Sequence, residues 1–118
     1  MIDYFVNAKE FVEYKAGQVI FEEDQRGDVM YAIKEGLVDI IHKGRIIETI
    51  QKGQFFGEMA IVDKLVRSAQ AVAKTDCKIV VVNRHRFLFL VQETPTFALE
   101  IMQVMSERIR RMIDDLYQ

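Results

Sequence analysis

Val29-Met-Tyr-Ala-Ile-Lys-Glu-Gly36-Leu-Val-Asp-Ile-Ile-His42-Lys-Gly44-Arg-Ile-Ile-Glu-Thr-Ile50 holds three runs rich in β-branched and aromatic residues, parted by glycines. The runs are Val29 to Ile33, Leu37 to Ile41 and Ile46 to Ile50. Tyr31-Ala32-Ile33-Lys34 and Ile46-Ile47-Glu48-Thr49-Ile50 alternate apolar and polar side chains with one interruption each, the pattern of a strand with unlike faces. His42-Lys43-Gly44-Arg45 reads as a hairpin turn, because Gly44 takes a positive φ at no steric cost.

The same punctuation continues on both sides. Glycines stand at 17, 27, 36, 44, 53 and 57, and none follows. Further strands are expected at Phe11 to Tyr14, Val19 to Phe21, Ser68 to Lys74 and Lys78 to Val82. Short strands at this spacing, joined by glycine turns, indicate an all-β barrel or sandwich. After Val82 the period changes. Asn83 is placed to cap a helix over Arg84 to Gln92, with Phe87, Leu88, Leu90 and Val91 facing inward. Thr94 and Pro95 open a second helix toward the C-terminus, Thr94 as cap and Pro95 in the first turn. Ala98, Met102, Met105, Ile109, Met112 and Leu116 recur at heptad spacing along it. That seam suits a second copy of the chain or the chain's own barrel.

The fold expected is mainly β: an antiparallel β-roll or jelly-roll barrel with a short helix in its wall and two C-terminal helices. We expect one domain over 1–118, with the β-roll at 10–82 and helices at 83–92 and 95–117.

Composition narrows the function. Charges nearly balance, 16 Lys and Arg against 18 Asp and Glu, for a net −2, so no global pull draws the chain to nucleic acid. Cys77 is the only cysteine, which excludes an intrachain disulfide and a cysteine-based zinc site. The longest apolar run, Phe87 to Val91, is far short of the ~20 residues of a membrane span. Asp3 and the absence of a basic start do not resemble a secretory signal. A cytoplasmic location is expected, with no membrane partner.

Enzyme signatures are missing. The sequence has neither a Gly-x-x-x-x-Gly-Lys-Ser/Thr loop nor a Gly-x-Gly-x-x-Gly turn. His42 and His85 stand apart, without metal-ligand spacing, and Cys77 lies in a strand-like run as a buried structural thiol. Glu22-Glu23-Asp24 and Asp114-Asp115 read as solvated charge in a turn and at a helix end. We expect no catalytic residue, no metal and no cofactor.

Gly53-Gln-Phe-Phe-Gly57-Glu58-Met59-Ala60-Ile-Val-Asp-Lys-Leu-Val-Arg67-Ser68-Ala69 is different, because it carries one carboxylate and one guanidinium in an apolar wall. Glu-Met-Ala-Ile-Val after a glycine can form a single helical turn whose free N–H groups favour an anion. Arg67 can offer a planar fork to a phosphate, and Glu58 can accept hydroxyl hydrogens from a sugar. The alternative is that Glu58 and Arg67 pair with each other across a loop.

Gly57-Glu58-Met59-Ala60 followed by Arg67-Ser68-Ala69 resembles the phosphate-binding cassette of the cyclic nucleotide-binding domain family. That family includes catabolite activator proteins, regulatory subunits of cyclic-AMP-dependent kinase and cyclic-nucleotide-gated channels. Tyr14-Lys-Ala-Gly17-Gln-Val-Ile-Phe21, Met30-Tyr-Ala-Ile-Lys-Glu-Gly36 and Gly53-Gln-Phe-Phe-Gly57 resemble its glycine-marked strands in order. The resemblance implies that Arg67 binds the exocyclic phosphate and Glu58 the ribose 2′-hydroxyl. It also implies that backbone N–H groups around Gly57, Met59 and Ala60 line the pocket. Ser68 would add a hydroxyl near the phosphate or reach a purine edge, and Ala69 keeps the cassette close to the ligand. The last two helices resemble the family's B and C helices, the second a lid over the base and often a dimer seam.

Two departures bear on this. The family usually has a glycine where this chain has Asp24, so that turn is expected to be shaped differently, away from the pocket. The position of an adenine-reading hydroxyl falls near Met112 and Ile113; Arg110 and Arg111 read as a solvated face and Met112 as part of a dimer seam. A chain ending at Gln118 is expected to lack the helix-turn-helix of the transcription regulators and to bind no nucleic acid.

The leading reading is a stand-alone regulatory sensor of cyclic AMP or cyclic GMP, a homodimer through its C-terminal helix that signals to a protein partner. The alternative is a β-roll interaction or dimerisation module that binds no ligand. A cupin-type enzyme lacks its histidine cluster.

Overall fold

The computed structural model describes residues 4–5, 7–63 and 66–116. Among the described residues eight strands and three helices follow one another: β1 (Val12–Tyr14), β2 (Val19–Phe21), β3 (Val29–Glu35), β4 (Val38–His42), β5 (Arg45–Ile50), β6 (Phe55–Phe56), α1 (Met59–Val62), β7 (Gln70–Ala73), β8 (Cys77–Asn83), α2 (Arg84–Glu93) and α3 (Thr96–Leu116). The strands make two four-stranded sheets, ordered β1-β8-β3-β6 and β2-β7-β4-β5, and every pairing is antiparallel. This is the mainly-β roll expected from the sequence.

The β4–β5 hairpin turns where Gly44 stood in the sequence, with Lys43 at φ 49° and Gly44 at φ 79°. His42 and Arg45 face each other across it. Between the sheets lies a core drawn from both: Phe21, Val38, Ile50, Ala71 and Ala73 from one, Tyr31, Ile33, Phe56, Cys77 and Ile79 from the other. Fully burying one such Phe or Ile stabilises the fold by about 1.5–3 kcal/mol.

β3 departs from simple alternation because Met30, Tyr31, Ala32 and Ile33 are all buried. Tyr31 and Ile33 belong to the core between the sheets. The intervening Met30 and Ala32 point to the other face, as do Val80 and Val82 of β8, and these too are buried. Phe55, also buried, meets the ring of Phe5 edge-on at 6.0 Å. A strand with both faces covered reads as an apolar run, which is the interruption seen in the sequence.

The compact units by contact are residues 1–84 and 85–118. In the second, α2 presents Phe87, Leu90 and Val91, all half-buried, whereas Leu88 is exposed, against expectation. Positions 87, 90 and 91 share one helix face by their i, i+3, i+4 spacing, and 88 is rotated ~100° off it. Phe87 packs edge-on against Phe97 at 5.5 Å. In α3 the buried residues are Phe97 and Ile101, while Met102, Ile109, Met112 and Leu116 of the heptad seam are exposed. Among the described residues no helix is long and apolar enough to cross a membrane.

Candidate functional site

The site begins where β6 ends. Gly57, at φ 74°, turns the chain out of the strand, a conformation that glycine adopts without strain. Glu58 follows as the N-terminal flanking residue of α1, with φ −63° and ψ −24°, and is 4% exposed. Ala60 and Ile61 bury the inner side of this single turn, and Met59 and Val62 face solvent. At its far end the Arg84 Nη1 donates to the Ile61 carbonyl at 2.7 Å, placing a cation at the carbonyl end of the turn.

Arg67 is the centre of the arrangement and is 6% exposed. Its Nη1 donates to the Gly57 carbonyl at 3.0 Å and its Nη2 to the Val29 carbonyl at 2.7 Å. The guanidinium carbon stands 4.3 Å from the ring centroid of Phe21 and 5.6 Å from that of Tyr31. Gly27 approaches so closely that a Cβ there would fall 2.6 Å from the Arg67 Cζ. The backbone of Arg67 is fixed as well: its N–H donates to Gln25 O at 2.7 Å and its carbonyl accepts from Asp24 N–H at 2.8 Å. An isolated antiparallel bridge between Arg26 and Val66 extends this short ladder.

Asp24 therefore does not steer the turn away from the site. It adopts φ 67°, the left-handed conformation a glycine would take, and bonds directly to Arg67. Aspartate tolerates that region better than most side chains, so the turn survives the substitution.

Burial lowers the Arg67 pKa, because desolvation disfavours the cation; the nearby Tyr31, Asp28 and Glu58 act in the opposite direction. The guanidinium nevertheless stays charged at neutral pH. Burial also raises the Tyr31 pKa, with Arg67 opposing it. The result is a buried cation with a buried carboxylate residue as neighbour.

Of the residues singled out in the sequence, Gly57, Glu58 and Arg67 are brought together by these contacts. Ala60 and Ala69 are buried in the same wall, while Met59 is exposed. Ser68 is exposed; its carbonyl lies 3.1 Å from the His42 Nδ1, which also stands 3.2 Å from Glu23 Oε1. Two Arg67 hydrogen bonds run to backbone carbonyls, Tyr31 acts on it by charge and by a side-chain hydrogen bond, and Glu58 acts on it as a neighbouring charge. Arg110, Arg111, Met112 and Ile113 lie on the exposed part of α3. Sequence reasoning missed Gly27, Phe21 and Tyr31 as partners of Arg67. Phe21 and Tyr31 were visible only as strand residues, and contacts across such sequence distances leave no local pattern. Among the described residues no cluster of three or more His, Cys, Asp or Glu side chains is placed to hold a metal.

Residues 11–94 match the cyclic nucleotide-binding domain family. The chain belongs to that family. A cAMP-dependent protein kinase regulatory subunit from Schizosaccharomyces pombe is 30% identical over 82 residues, covering 69% of this chain and 20% of that protein. The chain thus spans about a fifth of that relative's length. The crystal structure of the Thermus thermophilus catabolite activator protein superposes with a TM-score of 0.79 at 29% identity, over 90% of this chain and 53% of the other. A structure of PKAR CBD2 bound to Sp-2Cl-cAMPS superposes with a TM-score of 0.75 at 25% identity, over 91% of this chain and 70% of the other. The segment from Gly57 to Ala69 lies within the matched residues.

Proposed function

We propose that this chain is a regulatory module that binds cyclic AMP or cyclic GMP at the cassette, with Arg67 on the exocyclic phosphate and Glu58 on the ribose 2′-hydroxyl. The observation that carries this reading is the buried Arg67 guanidinium, oriented by the Gly57 and Val29 carbonyls and neighboured by Glu58. Two of its five N–H donors serve those carbonyls, and a phosphate takes such a fork bidentately. Backbone N–H groups at Met59 and Ala60, next to Gly57, complete the phosphate side, the Ala60 N–H being shared with the Gly57 carbonyl that it reaches at 3.3 Å, and Ala69 keeps the wall thin. Ser68 contributes its hydroxyl at the solvent edge. Membership of the family and the PKAR CBD2 complex with Sp-2Cl-cAMPS support a cyclic nucleotide as the ligand.

The module is a single domain over residues 1–118 and acts by regulation rather than catalysis, in the cytoplasm, without contacting nucleic acid or membrane. Ligand binding repacks α3 over the base, and the exposed Met102, Ile109, Met112 and Leu116 carry the signal to a second copy or to a protein partner. A ligand shifts such an equilibrium only by its differential affinity for the two arrangements.

Isothermal titration of the purified chain with cyclic AMP and cyclic GMP, with 5′-AMP as control, tests the reading. Binding of a cyclic nucleotide and not of 5′-AMP is expected. No heat from folded, ligand-free protein refutes it.

A further inference from the structure

We propose that Phe21 is a positioning residue for the ligand's phosphate, acting through Arg67: its ring face is the platform that holds the guanidinium in register. This rests on the reading of the site given above. The guanidinium has its edge fixed by two carbonyls, Gly57 O and Val29 O, because N–H donors lie in its plane. Hydrogen bonds at the edge leave the height and tilt of the plane to whatever packs on it. Phe21 supplies the aromatic contact at 4.3 Å, Tyr31 stands further off at 5.6 Å, and the bare Gly27 closes on the guanidinium without a side chain.

The platform is itself rigid. Phe21 is 7% exposed and stacks on Tyr31 at 5.7 Å with 29° between the rings. Tyr31 in turn stacks on Phe56 at 5.0 Å and 16°, and Phe56 lies 6.1 Å from Phe21. The three rings belong to β2, β3 and β6, so they couple both sheets to the cassette. Phe56 directly precedes Gly57, whose carbonyl holds Arg67, and Val29 opens the strand that bears Tyr31. Each carbonyl partner therefore lies in or beside a strand that bears one of the other two rings.

The chemistry separates this role from plain packing. A cation over an aromatic face is attracted by the ring quadrupole, most strongly where both are desolvated. An Arg side chain ordered before binding loses less rotamer freedom when the phosphate arrives. Withdrawing electrons from the ring must then loosen the guanidinium even when ring size hardly changes.

The test replaces Phe21 by 3,5-difluoro- and pentafluorophenylalanine at that site alone, which preserves the packing that Phe21→Leu would disturb. In ligand-free protein, solvent exchange of the Arg67 Nε–H, followed by NMR, is expected to speed up stepwise with fluorination. Cyclic AMP affinity is expected to fall stepwise in parallel, by roughly 5- to 30-fold in total. In an Arg67→Gln background the affinity series is expected to be flat. Unchanged Nε–H exchange across the series overturns the role of Phe21, as does an affinity that ignores the fluorines while the parent chain binds. If the parent chain binds neither cyclic AMP nor cyclic GMP, the proposed ligand is wrong, and the exchange series still decides whether Phe21 holds Arg67; if it binds only cyclic GMP, the affinity series is read with that ligand.

Discussion

Asp24 and Arg67 are joined backbone to backbone, the Asp24 N–H donating to the Arg67 carbonyl at 2.8 Å while the Arg67 N–H donates to Gln25 O at 2.7 Å. The turn after β2 thus forms a short ladder with the end of the cassette. The side chain expected to bind phosphate takes its place from a turn formed over forty positions earlier in the sequence. A change of conformation at Asp24 is therefore expected to reach Arg67.

Asp24 holds φ 67°, where an L side chain is strained and glycine is not. Asp24→Gly is expected to leave stability unchanged or raise it by up to about 1 kcal/mol. Asp24→Val, β-branched, is expected to lower it by about 1–2 kcal/mol and to weaken nucleotide binding with it. Urea unfolding of the two variants checks both signs.

Gly27 leaves no room beside the guanidinium, since a Cβ there would stand 2.6 Å from the Arg67 Cζ. Gly27→Ala is expected to displace Arg67 and weaken cyclic nucleotide binding by roughly tenfold or more, the scale of a 1–3 kcal/mol overpacking penalty. Calorimetric titration of the variant measures this. An affinity equal to that of the parent chain contradicts the placement of Arg67 against Gly27.

Burial raises the pKa of the Cys77 thiol and that of the Tyr31 phenol from their ordinary values. A group whose pKa is raised by folding contributes stability that is complete below its unfolded value and is lost as pH climbs through the folded value. Stability is therefore expected to hold through neutral pH and to decline from about pH 9 upward. Tyr31→Phe should flatten the part of that decline above pH 10, and unfolding curves collected between pH 7 and 11 read the slope directly.

Met102, Ile109, Met112 and Leu116 line one exposed stripe of α3 at heptad spacing. A concentration-dependent dimer is expected in sedimentation, converted to monomer by Ile109→Glu without loss of the fold. A parent chain that remains monomeric at high concentration contradicts the seam.

The parts of this structure that were legible in the sequence are those with a local signature. Gly44 marked the β4–β5 hairpin, and the strand at Val19–Phe21 coincides with its apolar run. The single turn of α1 followed from Glu58-Met-Ala-Ile-Val after a glycine. β6 was legible only through the resemblance, in Gly53-Gln-Phe-Phe-Gly57, because two residues, Phe55 and Phe56, are too few to show a period. β7 is shorter than expected, Gln70–Ala73, because Ser68 and Ala69 lie in a bend that carries Arg67 into the wall. Leu88 was misplaced because a dense apolar run hides which of its members share a face. In the site, Arg67 and Glu58 stood out as charges among apolar neighbours. Phe21, Gly27 and the Val29 carbonyl did not, because what makes them matter is a contact between segments up to tens of residues apart.

The central claim is that Arg67 holds the phosphate of a cyclic nucleotide, and the most direct measurement sets the parent chain beside Arg67→Ala and Glu58→Ala in calorimetric titrations. Cyclic AMP, cyclic GMP and 2′-deoxy-cyclic AMP serve as ligands. Removing a charged hydrogen-bonding partner from a buried phosphate is expected to weaken binding by roughly 10- to 150-fold in Arg67→Ala, from about 1.5–3 kcal/mol. Glu58→Ala should cost less and should narrow the gap between the ribo- and 2′-deoxy ligands. A parent chain that binds a cyclic nucleotide as tightly as its Arg67→Ala variant does would contradict the account.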